Sequence, residues 1–178
     1  TTGHLCGSGH ASHPYLHITN CIFKNNIVRE VVRLDHNKHI YNSIFADNQS
    51  SHGIVTFGTN FTSGNSLIDH CTFFNYQSNF YDANWGNHTG NVQSSVFSGL
   101  ITDFYTSISG EHSAINFYNN NGTGLTNNGN FSGDPLFVDA QNNNFNLQNS
   151  SPCIGSGENG SNVGADMSQF PSWMVNFP

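Results

Sequence analysis

The chain has 178 residues, enough for one domain with a continuous core, and 35% of them are hydrophobic and 13% aromatic. Only 8% are charged, the formal net charge is −7 with histidines neutral, and the four basic residues are Lys24, Arg29, Arg33 and Lys38. So few cations disfavour nucleic acid or an anionic membrane surface as partner, and no apolar run approaches the length of about 18 residues that a membrane span needs.

The first stretch, from Thr1 to Cys6, reads like the middle of a repeat, without an initiator Met, a leader or a capping helix. A mature form or an excised piece is expected, with its uncapped end covered by other residues or by another molecule. His4, His10, His13 and His17 crowd this region. His10, His13 and His17 are weak candidates for a Zn²⁺ or Ni²⁺ site. Pro14 and the glycines exclude a helical ligand array, however, and no Cys-x-x-Cys accompanies them, so polar turn histidines are the simpler reading. No metal or other cofactor is expected.

Four runs then share one template: Ile18-Thr-Asn-Cys-Ile-Phe23, Ile40-Tyr-Asn-Ser-Ile-Phe45, Ile68-Asp-His-Cys-Thr-Phe73 and Val92-Gln-Ser-Ser-Val-Phe97. Their phenylalanines lie 22, 28 and 24 residues apart, and a degraded fifth copy is expected at Phe117. Two residues after each stands Asn25, Asp47, Asn75, Gly99 or Asn119, types that tolerate a left-handed backbone. One strand-like run per copy at this period predicts a solenoid. Scarce Ala and Leu beside abundant Asn, Gly, Ser and Thr exclude the helical repeats and the leucine-rich repeat. A parallel β-helix fits, with equivalent side chains stacked at roughly 4.8 Å. About seven coils follow from the length: residues 1–133 as coils, and 134–178 as a closing coil and tail of the same domain.

Between the first two copies, Arg29, Glu30, Arg33, Asp35, His36, Lys38 and His39 fall in one coil. A polysaccharide lyase needs a base and a positive charge beside the substrate carboxylate, which makes Arg29, Arg33, Lys38 and His39 the catalytic candidates. The plainer reading is a solvated charged edge or a local salt-bridge group. No carboxylates recur at equal offsets: Asp47 aligns with Asn25 and Asn75, and Asp69 with Thr19, Tyr41 and Gln93. A calcium cluster is therefore unsupported. Glu30, Glu111 and Glu158 are too scattered to single out a hydrolase pair. Tyr76, Tyr81, Trp85 and Trp173 are candidate binding residues for a glycan. The aligned series Thr19, Tyr41, Asp69, Gln93 is neither flat nor repetitive, which excludes an ice-binding face.

Cys21 and Cys71 share a ladder position with Ser43 between them, too far apart for a disulfide, and Cys6 and Cys153 lie in opposite terminal regions. Four free thiols are expected, with a local pair such as Cys6 with Cys21 as the alternative. Gly155-Ser-Gly157-Glu-Asn-Gly160 matches a dinucleotide fingerprint formally, but no helix pattern follows, so it reads as a loop. The apolar Phe170-Pro-Ser-Trp-Met-Val-Asn-Phe-Pro178 is expected either as a strap packed along the outside or over the final coil, or as a contact for another subunit or a preceding domain.

The repeats resemble those of the right-handed parallel β-helix family, the pectate-lyase-like superfamily. The tail Asp134-Pro-Leu-Phe-Val-Asp139, Asn144-Phe-Asn-Leu147, Ser151-Pro-Cys-Ile154, Gly164-Ala-Asp166 resembles the closing segment of its bacterial secreted members. The resemblance implies an all-β, right-handed parallel β-helix in an extracellular or cell-surface setting, with frequent dealings with polysaccharide. It fixes no reaction, because the scaffold serves enzymes, adhesins and phage spikes alike. The expectation is a non-catalytic structural or adhesive module contacting glycans or like subunits through uncapped ends. The alternative is a polysaccharide-cleaving enzyme using Arg29 to His39.

Overall fold

The computed structural model describes residues 4–7, 16–34, 38–57, 64–76, 80–82, 88–98, 104–105, 114–122, 125 and 127–175. Strands dominate, and the chain visits three sheets in turn, layer after layer. The first layer is β1 (His4–Gly7), β2 (Leu16–Thr19) and β3 (Ile22–Lys24). The second is β4 (Ile27–Leu34), β5 (Lys38–Tyr41) and β6 (Ile44–Ala46), and the third is β7 (Gln49–Phe57), β8 (Gly64–Asp69) and β9 (Thr72–Phe74). The fourth is β10 (Phe80–Asp82), β11 (His88–Gln93) and β12 (Val96–Ser98), and the fifth is β13 (Phe104–Tyr105), β14 (Ala114–Tyr118) and β15 (Asn121–Gly122). The first strands of the layers form sheet A, the second strands sheet B and the third strands sheet C, all three five-stranded and parallel.

The register follows the template. Ile18, Ile40, Ile68 and Val92 align in sheet B, and Phe23, Phe45, Phe73 and Phe97 in sheet C. The four rings stack at 4.8 Å between centroids with interplanar angles of 6°, 11° and 1°. Phe45 is fully buried, and the aliphatic column beside it is buried too. No layer can hide its apolar side alone, so each buries it against its neighbours.

The connection from sheet B to sheet C is two residues long in every layer. Its first residue is left-handed: Asn20, Asn42, His70, Ser94 and Asn119, with φ between 45° and 52°. The connection from sheet C to sheet A begins with Asn25, Asp47 and Asn75, also at positive φ, whereas Gly99 lies outside the described residues. Main-chain bonds continue through both corners, for example Asn42 N–H to Asp69 O and Asp47 N–H to Phe74 O. The first two connections from sheet C to sheet A are two residues long, but β9 ends at Phe74 and β10 begins at Phe80, so the unequal spacing of the copies arises between the end of sheet C and the start of sheet B. In sheet A a bulge between Val28 and Glu30 already shifts the register by one. The connections to sheet B lie outside the described residues.

The fifth copy sits differently from the expectation. Phe117 pairs with Val92, so it takes the aliphatic column, and Gly122 takes the phenylalanine column opposite Phe97. Asn119 accordingly belongs to the B–C corner with Ser94, not to the corner of Asn25. A Cβ on Gly122 would stand 3.1 Å from Phe97 Cβ and 3.2 Å from Leu125, whose side chain packs against the core where the ring stack stops. Phe131 pairs with Asn121 and begins a partial sixth layer.

One position of the B–C corner carries a hydrogen-bonded column of Cys21, Ser43, Cys71, Ser95, Asn120 and Asn130. Cys21 N–H donates to Ser43 Oγ (3.2 Å), Cys71 N–H to Ser95 Oγ (3.1 Å), Ser95 N–H to Asn120 Oδ1 (2.9 Å) and Asn120 N–H to Asn130 Oδ1 (2.9 Å). Cys21, Cys71 and Cys153 are free thiols, which removes the alternative pairing of Cys6 with Cys21.

The segment from 134 onward lies along the outer face of sheet C instead of adding further full layers. Five layers and part of a sixth are therefore described where length alone suggests about seven. It contains an antiparallel pair, β16 (Phe137–Asp139) and β17 (Asn144–Leu147), and a short helix, α1 (Ser172–Val175). Phe145, Met167 and Phe170 bury Ile44 and Ala46, and Cys153 and Val163 bury Val96. A strap outside the sheets was one of the two expectations for the tail from Phe170, and the strap begins well before it.

Candidate functional site

Of the basic stretch, the side chains of Lys38 and His39 are described, and they diverge. Lys38, 1% exposed, stands in β5 in the same column as Leu16 and Ser66, within the wall, so the solvated-edge reading fails for it. His39, the next residue, faces the other side of the strand, where its ring meets His17 edge-on at 5.1 Å. Successive strand residues point to opposite faces, so Lys38 and His39 cannot line one groove. Arg29 and Arg33 lie in β4, in sheet A. Burial and the neighbouring His17 hold His39 below its ordinary value.

Tyr76 is 3% exposed, belongs to the core, and its hydroxyl finds no partner among the described residues, so it offers no surface to a glycan. Tyr81 lies in β10, and Trp85, His10 and His13 lie outside the described residues. Exposed His17 pairs with His39, and no group of three metal-ligating side chains occurs among the described residues. Trp173 is 64% exposed in α1 and borders a depression of about 450 Å³ with Ile22, Phe145 and Met174.

The strap also makes a cleft of about 480 Å³ where it crosses the B–C corner; Tyr41, His70, Asn146, Asn149, Ser161 and Asp166 are among its lining residues. The strap is stitched to three successive layers. Glu158 N–H donates to Ser94 Oγ (3.0 Å) and Gly164 N–H to Ser94 O (2.7 Å), Ala165 N–H donates to Thr72 Oγ1 (3.0 Å), and Asn42 exchanges two bonds with the Asp166 backbone. Close approach requires Gly164: its φ is +102°, and a Cβ there would stand 3.0 Å from Val96.

At the third layer the stitch is different. Asp69 closes β8, and His70 occupies the left-handed corner where other layers have Asn or Ser. Asp69 Oδ1 is 2.6 Å from His70 Nδ1, and His70 Nε2 is 3.0 Å from Ser161 Oγ. The carboxylate accepts from Nδ1–H, which leaves Nε2 as the acceptor for the serine hydroxyl. Acid, imidazole and hydroxyl thus stand in the relay order of a serine nucleophile. Asp166 lines the same cleft; its carboxyl is held below the ordinary value chiefly by Ser168 Oγ–H, against an opposing effect of burial. Sequence reasoning missed this group. The readable signal was an adjacent Asp69-His70 pair at a corner that otherwise carries Asn or Ser, whereas Ser161 arrives from 91 residues away.

Comparison with models of known families, with curated proteins and with solved structures gives no match for this chain. Among the described residues, no helix is long and apolar enough to cross a membrane.

Proposed function

We propose that the three parallel sheets close into a right-handed parallel β-helix of the pectate-lyase-like type, and that it is an extracellular or cell-surface module that holds neutral glycan chains. The observation that carries the glycan reading is the cleft at the B–C corner. It sets the half-exposed ring of Tyr41 among the side chains of Asn146, Asn149, Asn162, Asp166 and Gln169. An aromatic face takes the apolar side of a sugar ring, and amides and a carboxylate take its hydroxyls. Net charge −7 favours neutral chains over polyuronates. The lyase reading is weakened, because Lys38 and His39 face opposite sides of β5.

Affinity electrophoresis through gels containing xylan, glucomannan or mixed-linkage glucan tests this. Retardation by at least one of them, weakened about tenfold or more by Tyr41→Ala, is the expected outcome. Equal mobility in every gel overturns glycan binding.

A further inference from the structure

We propose that Asp69, His70 and Ser161 are a serine-esterase site that removes short acyl groups from the chain lying in the cleft. The glycan is the alcohol half of this substrate, and only that half rests on the reading above. If the strap needed a clamp alone, the side chains of the other layers would serve. Asn42 holds it in the second layer with two direct bonds, and Ser94 in the fourth with one side-chain bond. Neither has a carboxylate behind it, because the residues before them are Tyr41 and Gln93. Only the third layer puts an imidazole at the corner, an acid on its Nδ1 and a hydroxyl on its Nε2.

The surroundings suit the chemistry. Asp69 and His70 have side chains only 14% and 19% exposed, so their hydrogen bond is sheltered from water and fixes the tautomer. Ser161 terminates a closed turn: Gly157 N–H donates to Ser161 O (2.8 Å) and Ser161 N–H to Glu158 O (3.1 Å). That turn is pinned by Gln93 Nε2 to the Glu158 carboxylate (2.9 Å). A Cβ on residue 157 would fall 2.6 Å from Ser161 Oγ, so glycine there keeps the hydroxyl uncrowded. The N–H of Asn162, one residue on in the lining of the cleft, makes no bond to a described residue and so is left available as a donor for the developing oxyanion.

In the reaction Ser161 Oγ attacks the ester carbonyl carbon while its proton passes to His70 Nε2. The tetrahedral adduct collapses with cleavage of the acyl carbon to alkoxy oxygen bond, and His70 returns the proton to the departing sugar hydroxyl. A water then attacks the acyl-serine, again losing a proton to His70, and Ser161 leaves with that proton. Ester and water become acid and alcohol, and no further reactant is needed.

The full chain is assayed with 4-nitrophenyl acetate and with acetylated xylan, and separately labelled with a fluorophosphonate probe read by peptide mass spectrometry. Expected are release of acetate and modification of Ser161, with kcat/KM reduced about 10³-fold or more in both Ser161→Ala and His70→Asn. His70→Asn places at the corner the residue that three other layers use there, so its fold is checked by an unchanged melting curve and its loss of labelling is chemical. Turnover no greater than that of Ser161→Ala, or a probe attached elsewhere, overturns the proposal. Turnover of the aryl ester without acetylated xylan upholds the triad and overturns the glycan as its substrate.

Discussion

His39 shows how a side chain on the outer face of this wall is tuned by the layer below it. Desolvation comes first and the facing His17 second, and both disfavour a charged imidazole. A histidine held below 6.5 in the folded state contributes stability that is complete above that value and is lost as the pH falls through its lowered value. Histidine NMR titration is expected to place His39 under 6.5, and His17→Ala to raise it; a titration at or above 6.5 would sink this account. Tyr76 supplies the opposite case. It follows Asn75 at the corner where the first two layers have Asn26 and Asn48, and Asn48 donates to Phe23 O and accepts from Asn26. Tyr76 puts a ring in that place and buries a hydroxyl that has no partner among the described residues, and burial drives its ionisation upward. Tyr76→Phe should therefore stabilise the fold by about 1 kcal/mol in urea denaturation, since it removes an unpaired polar atom and keeps the shape. A loss of similar size would show that the hydroxyl is satisfied after all.

At the scale of the strand the ring column is one continuous source of cohesion between layers. Phe45 lies between two stacked rings and is 0% exposed, so Phe45→Ala should cost about 3 to 5 kcal/mol, whereas a cost under about 1 kcal/mol would deny the stack that role. The column was legible because its side chains repeat at a fixed place relative to the B–C corner, which is two residues long in every layer. The second left-handed corner, at Asn20, Asn42, His70 and Ser94, was equally present in the template, but serine does not advertise positive φ as asparagine, histidine and glycine do. Phe117 misled for a related reason. A phenylalanine in roughly the right place outweighed the Asn-Asn-Asn-Gly that follows Tyr118, although that run marks the corner and puts Gly122 in the ring column. Lys38 was read as surface because charge usually is, while alternation along β5 with buried Ile40 already put it inside. The cleft was not legible, because its two walls come from repeat and strap, and no local pattern couples Asp69 to Ser161.

The whole molecule is two stacked constructions, layers joined edge to edge and a strap laid across them. The layers share a continuous core containing Cys71, a thiol that burial pushes up to about 12. The strap rests on separate apolar clusters outside sheet C, one of which contains buried Cys153, a thiol also raised by burial. The two clusters need not open together: lifting the strap breaks its stitches at Asn42, Thr72 and Ser94 but none of the bonds between strands of the three sheets. Local opening of such a peripheral unit lies below the free energy of global unfolding. In a Cys6→Ser, Cys21→Ser background, thiol labelling across a urea series is therefore expected to modify Cys153 at lower urea than Cys71. Loss of the ester-hydrolysing activity should track Cys153, because Ser161 travels with the strap while Asp69 and His70 stay with the layers. Coincident labelling of both thiols would mean that strap and layers unfold as one unit.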